Sequence, residues 1–130
     1  MFFVDLLKNN LHTKLLGKKI FYFKSTQSTN DDMWKLLSKG EKEGIVVVAD
    51  EQNSGRGRNN KTWHSQKGKS LIFSILIKQR FNIDKIGLNA ILIPIGIVSA
   101  IKKIINKKLS IKWPNDIAYK NKKVGGILIE

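Results

Sequence analysis

Of the 24 basic side chains in this 130-residue sequence only three are arginines, and two of those, Arg56 and Arg58, stand two residues apart beside Gly55 and Gly57. Arginine offers a planar fork of donors that matches phosphate and carboxylate. Glycine lets a backbone approach a ligand closely. The run from Gln52 through Ser54-Gly55-Arg56-Gly57-Arg58 to Trp63 therefore reads as a loop that wraps an anionic small molecule, with Trp63 placed to stack on a base. Its plainer reading is a basic turn whose tryptophan belongs to the core. The spacing is not that of a P-loop. Gly68-Lys69-Ser70 has the right ending, but residue 63 is tryptophan where the first glycine is required. The dinucleotide fingerprint Gly-x-Gly-x-x-Gly fails at Asn60.

Three further groupings carry polar chemistry. Ser28-Thr29-Asn30 combines two hydroxyls and an amide that could hold a polar ligand, or equally cap a helix. Lys112-Trp113-Pro114-Asn115-Asp116 sets an amide and a carboxylate after a proline, where they could hydrogen-bond a base and an amine, or form a turn. Lys123-Val124-Gly125-Gly126 puts one cation before two glycines that leave room for a ligand against the backbone. Such a cation could stabilise charge developing on phosphorus, or be one surface lysine among 21. His12 and His64 are isolated and there is no cysteine, so no metal site is expected from the protein itself.

The elements that must position these groups alternate between strand and helix. A short helix is expected over residues 2–8 and a strand over 19–23. A helix over 30–38 would have Ser28 or Thr29 as its cap, Met33, Trp34 and Leu37 as its buried stripe, and Gly40 as its stop. The β-branched run 45–49 is a buried strand leading into the arginine loop, and 70–77 is a second strand. Residues 88–105 form a long apolar helix that starts near Pro94 or kinks there. Residues 109–112 are strand-like, and 117–129 read as a hairpin turning at Asn121. Mixed strands and helices with hairpins predict an α+β fold, a mixed sheet flanked by helices.

One domain suffices for this length. The apolar stretch Ala90–Ile101 is too short to span a bilayer, and Met1-Phe2-Phe3-Val4-Asp5 lacks a basic leader, so no membrane partner and a cytoplasmic location are expected. The net charge of +14 admits a basic nucleic-acid-binding module. However, the lysines are scattered rather than clustered. Lys, Ile and Asn (21, 18 and 11) are jointly abundant, as in chains from AT-rich genomes, so no specific nucleic acid is expected.

In this order and spacing, Ser28-Thr29-Asn30, Gln52, Gly55-Arg56-Gly57-Arg58, Trp63, Lys112-Trp113-Pro114-Asn115-Asp116 and Lys123-Val124-Gly125-Gly126 resemble the biotin–protein ligase (biotin–[acetyl-CoA-carboxylase] ligase) family, from about Leu15 onward. The resemblance implies a catalytic domain like those of biotin/lipoate ligases and class II aminoacyl-tRNA synthetases. It also implies MgATP-dependent formation of biotinyl-5′-AMP, followed by transfer of biotin to a lysine of a biotin carboxyl carrier domain. A homodimer is compatible with it. It assigns biotin binding to Ser28, Thr29, Asn30, Gln52, Gly55, Arg56, Gly57, Arg58, Lys123 and Gly126. ATP binding falls to Arg58, Trp63, Lys112 and Asn115, and catalysis to Arg56, Arg58, Lys123 and Asp116. Asn59-Asn60 and Gln27 depart from the residues common in the family. The resemblance further implies that residues 1–130 are the first part of the catalytic domain, with no winged helix before it and no SH3-like domain after it, and that the chain alone is inactive. Lipoate–protein ligase is the nearest alternative in chemistry.

Overall fold

The structure, a computed structural model, describes residues 4–78 and 86–130. It divides into two compact units, Met1–Gln79 and Arg80–Glu130.

In the first unit, helix α1 (Val4–Asn10) precedes strand β1 (Ile20–Phe23), helix α2 (Thr29–Ser38), strand β2 (Val46–Ala49) and strand β3 (Ile72–Ile75). The sheet order is β1-β2-β3, with β1 parallel to β2 and β2 antiparallel to β3. β2 lies in the middle, which is why it is the most continuously apolar segment. Val47 is fully buried and packs with Met33, Ile45, Phe21, Phe23, Leu36 and Leu76. α2 crosses from β1 to β2. Its buried stripe is Thr29, Met33 and half-buried Leu36, an i, i+4, i+7 face. Trp34 and Leu37, expected in that stripe, are exposed instead, since each follows a core position by one residue and is rotated off the sheet-facing side. Helix α2 stops as expected. Gly40 takes φ +89°, its N–H donates to Leu37 O, and Glu41 N–H donates to Leu36 O, the paired bonds of a Schellman cap.

In the second unit, helix α3 (Ile86–Ile104) runs through Pro94 rather than starting there. It is followed by an antiparallel meander of β4 (Leu109–Lys112), β5 (Asp116–Tyr119) and β6 (Lys122–Gly126). The β5–β6 turn centres on Lys120 and Asn121, at φ +48° and +62°. Positive φ at both central residues matches the right-handed twist of the flanking strands. Val98, Leu109 and Ile117 form the core, with Ile97, Ile101, Tyr119 and Ile127 against it. Leu88, Ile91, Leu92 and Ile95 are exposed on α3. By length and composition Gly87–Ile104 would suffice to cross a bilayer, so the shorter run read from the sequence understated this helix. Its Ile97-Val98 and Ile101 positions nevertheless pack on the sheet. The described strands thus form two three-stranded sheets, one mixed and one antiparallel.

Candidate active site

Because β1 and β2 are parallel, both end at the same edge of their sheet, and the segments that leave them run on together. Asp50 N–H donates to Phe23 O, Thr26 N–H to Glu51 O, Asn53 N–H to Thr26 O and Ser54 N–H to Gln27 O, while Thr26 bridges Gln52. This brings the start of α2 and the start of the arginine loop side by side. Ser28 occupies the N-cap position in extended conformation and is buried, but its side chain makes no cap bond, so capping does not account for it. Buried Thr29 turns to Gln52: its N–H and its hydroxyl both contact Gln52 Oε1, at 2.7 and 2.9 Å. Ser74, on β3, lies 2.8 Å from Thr29 Oγ1 and hydrogen-bonds Asn30 Oδ1. Gln27 replaces no contact of this network; its Oε1 accepts from the Ser54 hydroxyl at 2.8 Å.

The loop itself is a tight hairpin, which its sequence did not suggest. Trp63 N–H donates to Gly55 O (2.8 Å), Arg56 bridges Thr62, and Gly57 N–H donates to Lys61 O (2.7 Å). The tip is a 3-10 turn over Arg58–Asn60. Asn59 and Asn60 sit at φ +54° and +57°. Asparagine enters this left-handed region more readily than other side chains, which explains why these positions can be asparagine. At Gly55 a Cβ would fall 2.7 Å from Trp63 O and 2.8 Å from Gln52 Nε2, so only glycine lets the hairpin lie against Gln52. The two arginines differ. Arg56 Nη1 pairs with Asp31 Oδ1, in the first turn of α2, at 2.6 Å. The Arg58 side chain is exposed at the tip and makes no ion pair among the described residues.

In the second unit, Trp113-Pro114-Asn115 forms the β4–β5 turn, with a cis Trp113–Pro114 bond, and Lys112 and Asp116 face each other in register across it. Lys112 and Trp113 are exposed. Asn115 ties the turn to the chain leaving β6: its Nδ2 donates to Ile127 O (2.8 Å), and Ile127 N–H donates to Asn115 O (2.9 Å). Lys123 Nζ is 2.8 Å from Asp116 Oδ1. A β-bulge between Ile117 and Ala118 makes this possible, shifting the register so that Lys123 lies opposite Ala118 while Gly126 lies opposite Asp116. The strand ends at Gly126 rather than continuing through Ile129. Among the described residues no group of three or more His, Asp or Glu side chains could hold a metal ion.

Hydroxyl and amide groups beneath an arginine hairpin, and a lysine–aspartate pair on a glycine-bearing strand, are parts suited to binding a polar acid and an adenylate. Residues 22–130 match the Biotin/lipoate A/B protein ligase family, and the chain belongs to that family. More particularly, it is similar to biotin protein ligases. It is 33% identical over 124 residues to the bifunctional ligase/repressor BirA of Bacillus subtilis, covering 95% of this chain and 38% of that protein. It is 32% identical over 136 residues to the human biotin–protein ligase, covering 98% of this chain and 19% of the relative. Among solved structures, the biotin protein ligase from Aquifex aeolicus in complex with biotin and ATP aligns with a TM-score of 0.75 at 32% identity, over 87% of this chain and 47% of that one. The Leishmania major enzyme in complex with biotinyl-5-AMP aligns with a TM-score of 0.62 at 28% identity, over 87% and 52%. The chain thus spans less than two fifths of the B. subtilis relative and about half of the solved chains.

Proposed function

We propose that this chain forms the biotin- and adenylate-binding part of an ATP-dependent biotin–protein ligase. The observation that carries the reading is the hairpin of Gly55–Trp63 seated on the Thr29–Gln52 network, in a chain similar to ligases solved with biotin and ATP. In the first step a biotin carboxylate oxygen attacks the α-phosphorus of ATP and pyrophosphate leaves. Two anions approach each other, so cations must offset their repulsion. Arg56, held by Asp31, is the fixed cation of the loop, and Arg58 at its tip is the one with reach. Ser28, Thr29, Asn30, Gln52 and the backbone of Gly55, Gly57 and Gly126 take the biotin. Trp63, Lys112 and Asn115 serve the nucleotide.

In the second step the acceptor lysine amine attacks the biotinyl carbonyl, an amide forms and AMP departs with the bonding pair. Lys123 carries charge toward the phosphate. Its pairing partner Asp116 uses Oδ1, which leaves Oδ2 to orient the amine or take its proton. A carrier-domain lysine as acceptor, Mg²⁺ delivered with ATP and a cytoplasmic setting belong to the same proposal.

The test is thermal melting of the purified 130 residues with a non-hydrolysable biotinyl-5′-AMP analogue. The analogue should raise Tm, Arg56→Ala should abolish the rise, and the lipoyl counterpart should give none. An equal response to both adenylates would move the assignment to lipoate, and no response from a folded chain would defeat it.

A further inference from the structure

The fold gathers lysines that look scattered along the sequence. Residues 102–123 hold eight lysines and one acidic residue in 22 positions, against 24 basic and 10 acidic residues in the whole chain. In the first unit lysines meet acids: Lys19 pairs with Glu41, Lys35 with Asp32 and Lys67 with Glu51. In the second, Asp116 is taken by Lys123, and Lys102, Lys103, Lys107, Lys108, Lys120 and Lys122 make no ion pair among the described residues. An overall excess of lysine explains their number but not this separation from acids. Lys102 and Lys103 have a local cause: they lie in the last turn of α3, where the carbonyl end of a helix favours cations. That field fades beyond the last turn, so it does not account for Lys107, Lys108 or Lys120.

These three lysines are exposed and line an open groove of about 480 Å³, together with the amides of Asn106 and Asn121. Lys108 and Lys120 flank the Leu109–Tyr119 pair that ends the β4–β5 ladder. Two like charges thus stand on adjacent chains, which destabilises a sheet end. Among the described residues no acidic side chain lines the groove to offset them. The groove lies at the opposite end of β5 from Asp116, about 10 Å along the strand, so it is separate from the Asp116–Lys123 pair.

We propose that this groove binds the phosphate backbone of duplex nucleic acid without regard to sequence. The inference goes beyond the ligase reading and does not depend on it. A duplex carries one negative charge per about 1.7 Å of its axis, a continuous row that can engage several lysines at once and release counterions as it does so. The groove holds lysine and no arginine, so it has point charges for phosphate and no fork to read guanine. It also lacks an open stacking platform for single strands. Tyr119 is half-buried, and Lys120 Nζ stands 5.5 Å from its ring centroid.

The experiment is fluorescence anisotropy of a labelled 20-base-pair DNA duplex titrated with the 130-residue chain at several salt concentrations. Replacing Lys107, Lys108 and Lys120 together by glutamine should weaken binding at least about thirtyfold at 50 mM salt. It should also lower the slope of log K against log[salt] by about 2.7, the value for three lost phosphate contacts. A control triple, with glutamine for exposed Lys14, Lys18 and Lys42, removes the same charge and should cost no more than about threefold. Equal losses in the two triples would show attraction by bulk charge and overturn the proposal, as would a wild-type chain that leaves the duplex free. Tighter binding of a single strand, or displacement of the duplex by polyglutamate or tripolyphosphate at equal charge, would also overturn it, in favour of those ligands. If the groove triple does not fold by circular dichroism, the three single replacements decide. Each should lower the slope by about 0.9, and an unchanged slope in all three refutes the groove.

Discussion

The longer helices of the two units, α2 and α3, are built on opposite terms. α2 is ten residues long, polar at its start, and its first residue is buried. It is held by hydrogen bonds to Gln52 and Ser74 and by the Arg56–Asp31 pair. α3 is 19 residues long and mostly apolar, yet much of its surface, including Leu88, Ile91, Leu92 and Ile95, is exposed. The first unit has a fully buried strand residue at its centre, whereas the second rests on one row of contacts between helix and meander. The lesson is that polar residues in the first unit have been spent on geometry and apolar ones on the core. In the second, apolar surface exceeds what its own small sheet can cover. Binding geometry is therefore expected to be fixed early in the first unit, and loss of order to begin in the second.

The sharpest way to break this comparison is Val47→Asp. It places an unpaired charge at the fully buried centre of the first sheet, at a cost of several kcal/mol, and should abolish protection of the β2 amides in hydrogen exchange. Retained protection would mean that the first unit is not organised around β2. Next in size is Gly55→Ala. Its Cβ would meet a backbone carbonyl at 2.7 Å, so the hairpin must lift from Gln52. Affinity for the biotinyl-adenylate analogue should fall at least about tenfold, roughly 1.4 kcal/mol. Unchanged affinity would show that the hairpin seat is irrelevant to binding.

Smaller again is Lys120→Gly. Lysine at φ +48° is disfavoured by about 1 kcal/mol, so glycine should raise the urea midpoint of the second unit. The parallel change Asn59→Gly, at an asparagine already suited to that region, should leave the first unit within about 0.3 kcal/mol. A gain at Asn59 but none at Lys120 would reverse the comparison. The smallest effect is that of Asp31→Asn. The pair with Arg56 is more than one-third exposed on both sides, so stability should fall by no more than about 0.5 kcal/mol, and less at high salt. A loss that persists in 1 M salt would show that the pair is not a screened surface contact.

Much of this architecture was legible beforehand. Gly40 announced the end of α2, the Val46-Val47-Val48 run announced the central strand, and Asn121 announced a turn. The buried face of α2 was misjudged because Trp34 and Leu37 are more hydrophobic than Thr29 and Leu36. Composition outranked the helical period there, while the network at Thr29 decided the real rotation of the helix. The hairpin inside the arginine loop gave no signal, since Arg56–Thr62 and Gly57–Lys61 pairing depends on backbone groups that carry no side-chain pattern. Ser74 was invisible for a related reason. One serine in a β-branched run reads as a polar interruption, and its partners lie 44 and 45 positions away. Division of the strands into two sheets is likewise a matter of pairing, on which local sequence is silent.

The seating of Trp63 has an optical consequence. Its backbone closes the arginine hairpin, and it is half-buried, whereas Trp34 and Trp113 are exposed. Replacing those two by phenylalanine would leave a single indole, located where the loop begins and ends. Its emission wavelength would then follow the hairpin in real time, so a stopped-flow trace could tell whether the loop is already shut when a ligand arrives or closes behind it.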